Sequence, residues 1–137
     1  MASPRTIRTA LAARLRSISG LTVHPRWPNN LIPPCAVIDS DQSEPEQTFA
    51  GTLTRWTFPV QLYVPQAPGF EQAQDTLDAL LATSSTGGIY GAIAADRTLG
   101  GAVDTVFVKG HRDYGLQELA EGVYVQAAVI DLEVWST

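Results

Sequence analysis

Between Thr54 and Val64 polar and apolar side chains alternate one by one. Trp56, Phe58, Val60, Leu62 and Val64 fall on one side, and Arg55, Thr57, Gln61 and Tyr63 on the other. A period of two over this length is the mark of a β-strand with one face buried. Such a face has to be covered, so the run commits the chain to a sheet with something packed on one side of it. Pro59 cannot donate a ladder hydrogen bond, which predicts that this strand lies at an edge or carries a bulge. Pro65 and the Pro68-Gly69 pair end it.

The covering elements are written elsewhere in the sequence at helical spacing. Ser3 reads as an N-cap with Pro4 at the first helical position. Ile7, Leu11, Leu15 and Ile18 then share one face. Arg5 and Arg16 project from the opposite face, while Arg8 and Arg14 flank the apolar stripe. Gly20 is placed as the C′ residue, and Arg14 and Arg16 in the last turns favour the helix dipole. Phe70, Ala73, Leu77, Leu80 and Leu81 predict a second helix with Asp75 and Asp78 outward. A Ser/Thr/Gly loop, Ser84 to Gly88, leads to a short third helix over Ile89 to Ala95.

Further strands are predicted at Leu21–Val23, Cys35–Ile38, Val103–Val108 and Val123–Trp135, the last apolar on both faces near its middle. Residues 25–34, with four prolines and two asparagines, read as a stiff irregular loop. Asp39 to Thr52 reads as an exposed loop or a hairpin tip. The order is helix, strands, helices, strands, which is segregated rather than alternating. It predicts an α+β fold: a mainly antiparallel mixed sheet with about three helices packed on it, in a single domain over residues 1–137. A chain of this length buries roughly two thirds of its unfolded surface, enough for one core.

Charge is unevenly spread. Residues 1–38 hold five arginines (Arg5, Arg8, Arg14, Arg16 and Arg26) and no acid, whereas the remainder holds four basic and fourteen acidic residues. The first segment is therefore at +5 and the rest at −10, for a net charge of −5. Such asymmetry fits polar assembly, in which a positive surface of one copy meets a negative surface of the next. The acidic bulk argues against duplex DNA or RNA as a tightly held ligand. The single cysteine, Cys35, leaves no internal disulfide, and a reducing cytoplasm fits. The run Thr9–Ala13 is broken at once by Arg14 and Arg16, so no secretory signal is expected. No stretch approaches the ~20 apolar residues of a membrane span.

A search for chemistry ends in specific failures. Two histidines, His24 and His111, and one cysteine are too thin a supply for a zinc site. Cys35, between Pro33-Pro34 and Ala-Val-Ile, reads as a small core residue. His111-Arg112-Asp113 matches three letters of a kinase catalytic loop, but Glu118 stands where that loop needs Asn, so the tripeptide reads as a polar turn or strand end. Asp39-Ser40-Asp41 opens like a calcium loop, but Glu44 and Ala50 occupy the positions that need Gly and Glu. The glycines at 87–88 and 100–101 lack phosphate-loop spacing and read as turns and caps. No residue is assigned to catalysis, a metal or a cofactor, and the chain is expected not to be an enzyme.

Several segments in order resemble one family. They are Ile7-Arg8-Thr9-Ala10-Leu11-Ala12-Ala13-Arg14-Leu15 with Gly20-Leu21-Thr22-Val23, then Pro33-Pro34-Cys35-Ala36-Val37-Ile38 and Arg55-Trp56-Thr57-Phe58-Pro59-Val60. The helix from Gln72 to Leu81, Thr98-Leu99-Gly100-Gly101-Ala102-Val103 and the C-terminal strand follow. Together they are similar to the tail terminator proteins of long-tailed, non-contractile (siphovirus) bacteriophages, collinearly over nearly the whole chain. The resemblance lies in order and spacing rather than in a chemical signature.

The resemblance implies a homohexameric ring in the neck of the virion. The ring caps the tail tube, stops its polymerisation and joins the tail to the head connector or stopper, while genomic DNA passes through without sequence-specific binding. Its partners are further copies of itself, the tube protein and the connector; no membrane and no cofactor are involved. Arg5, Arg8, Arg16, Arg55 and Gln61 are the expected subunit or tube contacts. The loop bearing Asp39, Asp41, Glu44 and Glu46 is expected to face the channel, where carboxylates repel phosphate and let DNA slide. The alternatives are another neck or minor tail protein of the same particle and, from a different class, a small-molecule-binding or enzymatic α+β domain.

Overall fold

A computed structural model describes residues 3–18, 20–28, 33–39, 42–48, 51–65, 69–82, 88–120 and 122–136, with only the backbone described at 42–48, 51, 52, 70, 119 and 120. Helix α1, Pro4–Leu15, starts as the sequence predicts. Ser3 is extended, its hydroxyl accepts from the Thr6 N–H at 3.2 Å, and Pro4 stands at the start of the helix. Ile7, Leu11, Ala12 and Leu15 are its buried face. The helix ends earlier than Gly20, however. Arg16 is its C-cap, and a turn closed by the Ile18 N–H on the Leu15 carbonyl at 3.0 Å carries the chain on. Gly20, at φ +80°, redirects that turn into the first strand, a conformation that glycine adopts without a Cβ clash.

Strands β1, Thr22–His24, and β2, Cys35–Ile38, run parallel, with Val23 opposite Ala36. Strand β4, Gly51–Pro65, is the spine of the sheet. Its C-terminal half pairs antiparallel with β2, and its N-terminal half with β3, Gln42–Thr48. The polar segment after Asp39 is thus a hairpin whose first arm is a strand; Glu44 and Glu46 lie on β3 rather than in a loop. The other side of β4 pairs with β6, Val123–Ser136, from Thr54↔Ser136 to Pro65↔Val125. Strand β5, Thr105–Ala120, closes the order β1-β2-β4-β6-β5 as an edge.

Pro59 therefore sits in an interior strand, not at an edge, and no register shift marks it in the β4–β6 ladder. Its carbonyl accepts from the Asp39 N–H at 2.9 Å. In a strand the N–H and C=O of one residue point to the same side, so the donor that proline lacks would also have faced Asp39. That is where β2 has ended, at Ile38↔Val60, and β3 has not begun, at Gln42↔Thr57. The proline falls in the break between two ladders, where the missing bond costs least.

Helices α2, Phe70–Leu81, and α3, Ile89–Ala95, complete three helices on one face of the sheet. The core between the layers joins Ile7, Leu11 and Leu15 of α1, Leu77 of α2 and Ile89 and Ile93 of α3 to Phe58, Val60 and Leu62 of β4 and Ile130, Leu132 and Val134 of β6. The other face of the sheet carries a smaller buried cluster of Cys35, Val37, Tyr63, Val125 and Ala127. The fold is α+β, a mixed and mostly antiparallel sheet with β1–β2 its parallel pair, in one domain.

Strand β5, at 16 residues, is more than two and a half times the predicted length. The strand expected over Val103–Val108 starts instead at Thr105 and runs on to Ala120 through register shifts at residues 109, 113–114 and 119, with Asp113 at φ +57°. His111-Arg112-Asp113 is thus inside an irregular edge strand rather than in a turn or at a strand end. Bulges that twist an edge out of register blunt pairing with other chains. No helix among the described residues is long and apolar enough to cross a membrane.

Candidate functional site

Arg5, Arg8 and Thr9 stand three and four residues apart on α1, the spacing that places side chains over one another on a helix. Pro25 and Arg26 follow β1. These five residues line one concave pocket of about 220 Å³. Sites for drug-sized ligands run from about 300 to 1,000 Å³, and a water occupies about 30 Å³. The pocket therefore has room for a compact group with a few waters. Three guanidiniums, two from α1 and one from the segment after β1, line it, and among the described residues the lining contains no carboxylate. The Thr9 hydroxyl is committed as a donor to the Arg5 carbonyl at 2.9 Å. Arg8 already has an interaction partner of its own, so the pocket is a cationic concavity rather than three uncommitted guanidiniums; guanidiniums suit planar oxyanions.

The remaining residues singled out from the sequence lie elsewhere. Arg16 is bound to its own fold: its Nη2 donates to the Val23 carbonyl at 3.1 Å, fastening the turn after α1 to β1. Arg55 stands in register between Glu44 of β3 and Trp135 of β6, with its guanidinium carbon 5.7 Å from the Trp135 ring centroid. Gln61, half-buried, lies between Val37 and Val129 in the ladder. Of the expected channel acids, Asp39 is half-buried at the end of β2. Asp41 lies outside the described residues, as do the side chains of Glu44 and Glu46.

Arg26 belongs to the pocket but did not stand out in the sequence, where it is one arginine in a proline-rich loop. A second charged surface, foreshadowed by the outward Asp75 and Asp78 of the predicted helix, gains Glu71 in the structure. Glu71, Asp75 and Asp78 are exposed along one stripe of α2, a helix with no Lys or Arg in it. Asp78 Oδ1 accepts from the Tyr114 hydroxyl at 2.8 Å. Desolvation, then the bond to that carboxylate, raises the Tyr114 phenol above its ordinary range.

The sheet's edge carries its own ion pairs. Arg112 holds Asp131 through Nε at 3.0 Å and Nη2 at 3.3 Å, and Lys109 lies 3.6 Å from Glu133. These pairs lie at the surface, contribute little to stability, and give Arg112 and Asp113 of the tripeptide partners within the edge strand and its neighbour. The glycines at 100–101 form a turn: Asp96 accepts from the Gly100 N–H at 2.9 Å and both glycines have positive φ. Among the described residues no group of three or more His, Cys, Asp or Glu is placed to hold a metal ion.

The end of the β5–β6 hairpin shows apolar side chains to solvent, with Leu116, Val123 and Tyr124 each about half exposed. Trp27, next to Arg26, is 49% exposed. No protein-family model matches the chain, and no curated protein sequence is significantly similar to it.

Proposed function

We propose that this protein is an assembly component of the tail terminator kind: a subunit of a ring that caps a phage tail tube and couples it to the head connector. The observation that carries the reading is the placement of opposite charges on separate elements of one domain. Arginines of α1 and the segment after β1 gather round a pocket, and carboxylates line α2. A closed ring is a heterologous assembly, in which one patch of each subunit meets a different patch of its neighbour. Two unlike patches on one chain are what such an assembly needs. The α+β fold with its segregated order of elements agrees with the order and spacing on which the resemblance rests.

In this reading the subunits number six, the ring sits in the neck of the virion, and DNA passes through its centre. The acidic hairpin arm from Asp39 through Glu46 faces that channel, and Arg55 and Gln61 contact the tube. The chain performs no turnover. Co-assembly tests it: tube protein polymerised alone and with this chain is measured by negative-stain microscopy. The expected result is tubes of curtailed length carrying a ring at one end. Tubes of unchanged length with undecorated ends would sink the proposal.

A further inference from the structure

We infer that Trp27 of one copy of this chain, with Arg26 beside it, seats on the end of the β5–β6 hairpin of the next copy, against Tyr114, Leu116 and Tyr124. The inference rests on the assembly reading above and names the contact between neighbouring subunits. The hairpin end carries an apolar patch on the face of the sheet that the helices cover elsewhere. Ala128, Ile130, Leu132 and Val134 of β6 belong to the core under the helices, and by alternation Gln126 and Tyr124 point the same way. Leu116 and Glu118 of β5 stand opposite these two, on the same face. Gln126 is 2% exposed and Leu116 opposite it 51%, so the helix cover stops between β6 and β5. Leu116 and Tyr124 are diagonal neighbours in the ladder, within reach of each other. Tyr114 reaches the same side, where its hydroxyl donates to Asp78 of α2 at 2.8 Å.

The rim of this patch is acidic. Asp75, Asp78 and Glu118 are exposed, and the charges of Asp75 and Asp78 both act on the Tyr114 phenol. Its complement is an apolar knob in basic surroundings. Among the described residues Trp27 is the exposed large apolar side chain of residues 1–38, the segment with five arginines and no acid. Phe107, also exposed, lies on β5 itself with the Arg97 guanidinium over its ring. Trp, Tyr and Arg dominate the energetics of protein interfaces. The contact is apolar at its centre, and the charges round it steer the approach.

Sheet order selects a second copy as the occupant. In the order β1-β2-β4-β6-β5, the strand that leads into Arg26 and Trp27 is at one edge and β5 at the other. Knob and seat therefore belong to opposite edges of one domain. Unlike patches so placed make a head-to-tail contact that repeats from copy to copy, the kind that closes a ring.

Two variants test it. Trp27→Ala removes the knob and Leu116→Arg sets a charge in the seat; both positions are exposed, and circular dichroism checks folding. Association is followed by sedimentation velocity. The wild type is expected to form oligomers, less as salt screens the rim. Each variant alone is expected to associate at least about tenfold more weakly. Tyr124→Ala, a truncation that adds no charge, is expected to act as Leu116→Arg does. Mixed in equal amounts, Trp27→Ala and Leu116→Arg are expected to form a one-to-one dimer and nothing larger. One supplies a sound hairpin end, the other a sound Trp27, and no second sound contact remains.

Variants that associate like the wild type, a mixture that stays monomeric or grows beyond the dimer, or a wild type that stays monomeric would each overturn the inference. Trp27→Ala protein that still dimerises, while Leu116→Arg protein does not, would assign the hairpin end to its own twofold copy and likewise overturn it. If the variants associate normally and still cap tubes, this contact falls and the assembly reading stands. If the wild type associates through this contact and caps no tube, the contact stands and the tail reading falls.

Discussion

Arg14 of α1 donates from Nε to the carbonyl oxygen of Ala92 of α3 at 2.7 Å, across 78 residues of sequence. A guanidinium that flanks the apolar stripe of one helix thus fastens the first helix to the third. The bond is partly buried, so removing the donor leaves a carbonyl short of a partner. Arg14→Ala is expected to cost about 1.5–3 kcal/mol, the range for a hydrogen bond to a charged group. Thermal unfolding checks it: a domain of this size loses roughly 3–5 °C per kcal/mol. Arg5→Ala, an exposed side chain on the same helix, is expected to change the melting temperature little.

Gln126 of β6 is 2% exposed, and its Oε1 has no hydrogen-bond partner. It faces the helix layer beside Ala128 and Ile130. An orphaned buried acceptor costs about 1–3 kcal/mol, so Gln126→Met, close in volume, is expected to leave stability unchanged or raise it by about 1 kcal/mol in urea unfolding. Leu77→Ala, at a fully buried site of the same layer, is expected to lose about 2–5 kcal/mol. A loss of more than 1 kcal/mol in the Gln126 variant would contradict the orphan assignment.

Two helix starts contrast in how much room a side chain has. A Cβ on Gly88, before α3, would lie 2.8 Å from the Ala79 carbonyl oxygen and 3.0 Å from that of Leu80, both backbone atoms. Gly69, before α2, has extended backbone at φ 177° and nothing within 4 Å of the same position. Gly88→Ala is expected to destabilise by about 1–3 kcal/mol through the forced shift. Gly69→Ala is expected to be neutral within about 0.5 kcal/mol. Chemical denaturation of the two variants separates the outcomes.

Burial raises the Cys35 thiol and the Tyr63 phenol, and desolvation with the Asp78 bond raises the Tyr114 phenol. In each case the fold holds the proton more tightly than the unfolded chain does. Their contribution is therefore full below the ordinary values, about 8.5 for Cys and about 10 for Tyr. It is lost as pH rises through and beyond them. Unfolding free energy is expected to be flat from these groups near pH 7–8 and to fall on the alkaline side. Tyr114→Phe is expected to make that fall shallower. Native Cys35 is expected to resist a thiol reagent at pH 8 and to react at once in denaturant.

How much of this was legible in the sequence follows from which faces are buried. Helices α2 and α3 and strand β2 lie at their predicted residues, because each puts apolar groups in the core at its own period. Strand β3 and the far half of β5 escaped. Residues 109–118 are mostly exposed at the sheet edge, so no apolar alternation marks them. Strand β3 is held by its pairing along β4, a relation between segments rather than within one. Pro59 was legible as a missing donor, but the break between β2 and β3 that absorbs it depends on where two other strands end. At the candidate site, the sequence put Arg5 on the face of α1 opposite the apolar stripe and Arg8 beside the stripe, and the structure brings both to one pocket. Arg26 comes beside them only through the chain's return after β1, and the bond of the exposed Arg16 to the Val23 carbonyl depends on the same return.

The central claim is that this chain works by its place in a ring. The most direct measurement is electron microscopy of tailed particles in which this chain carries a density label. The account predicts a single six-fold ring of label at the junction of tail tube and connector. Label spread along the tube, or particles that assemble complete necks without it, would contradict the account.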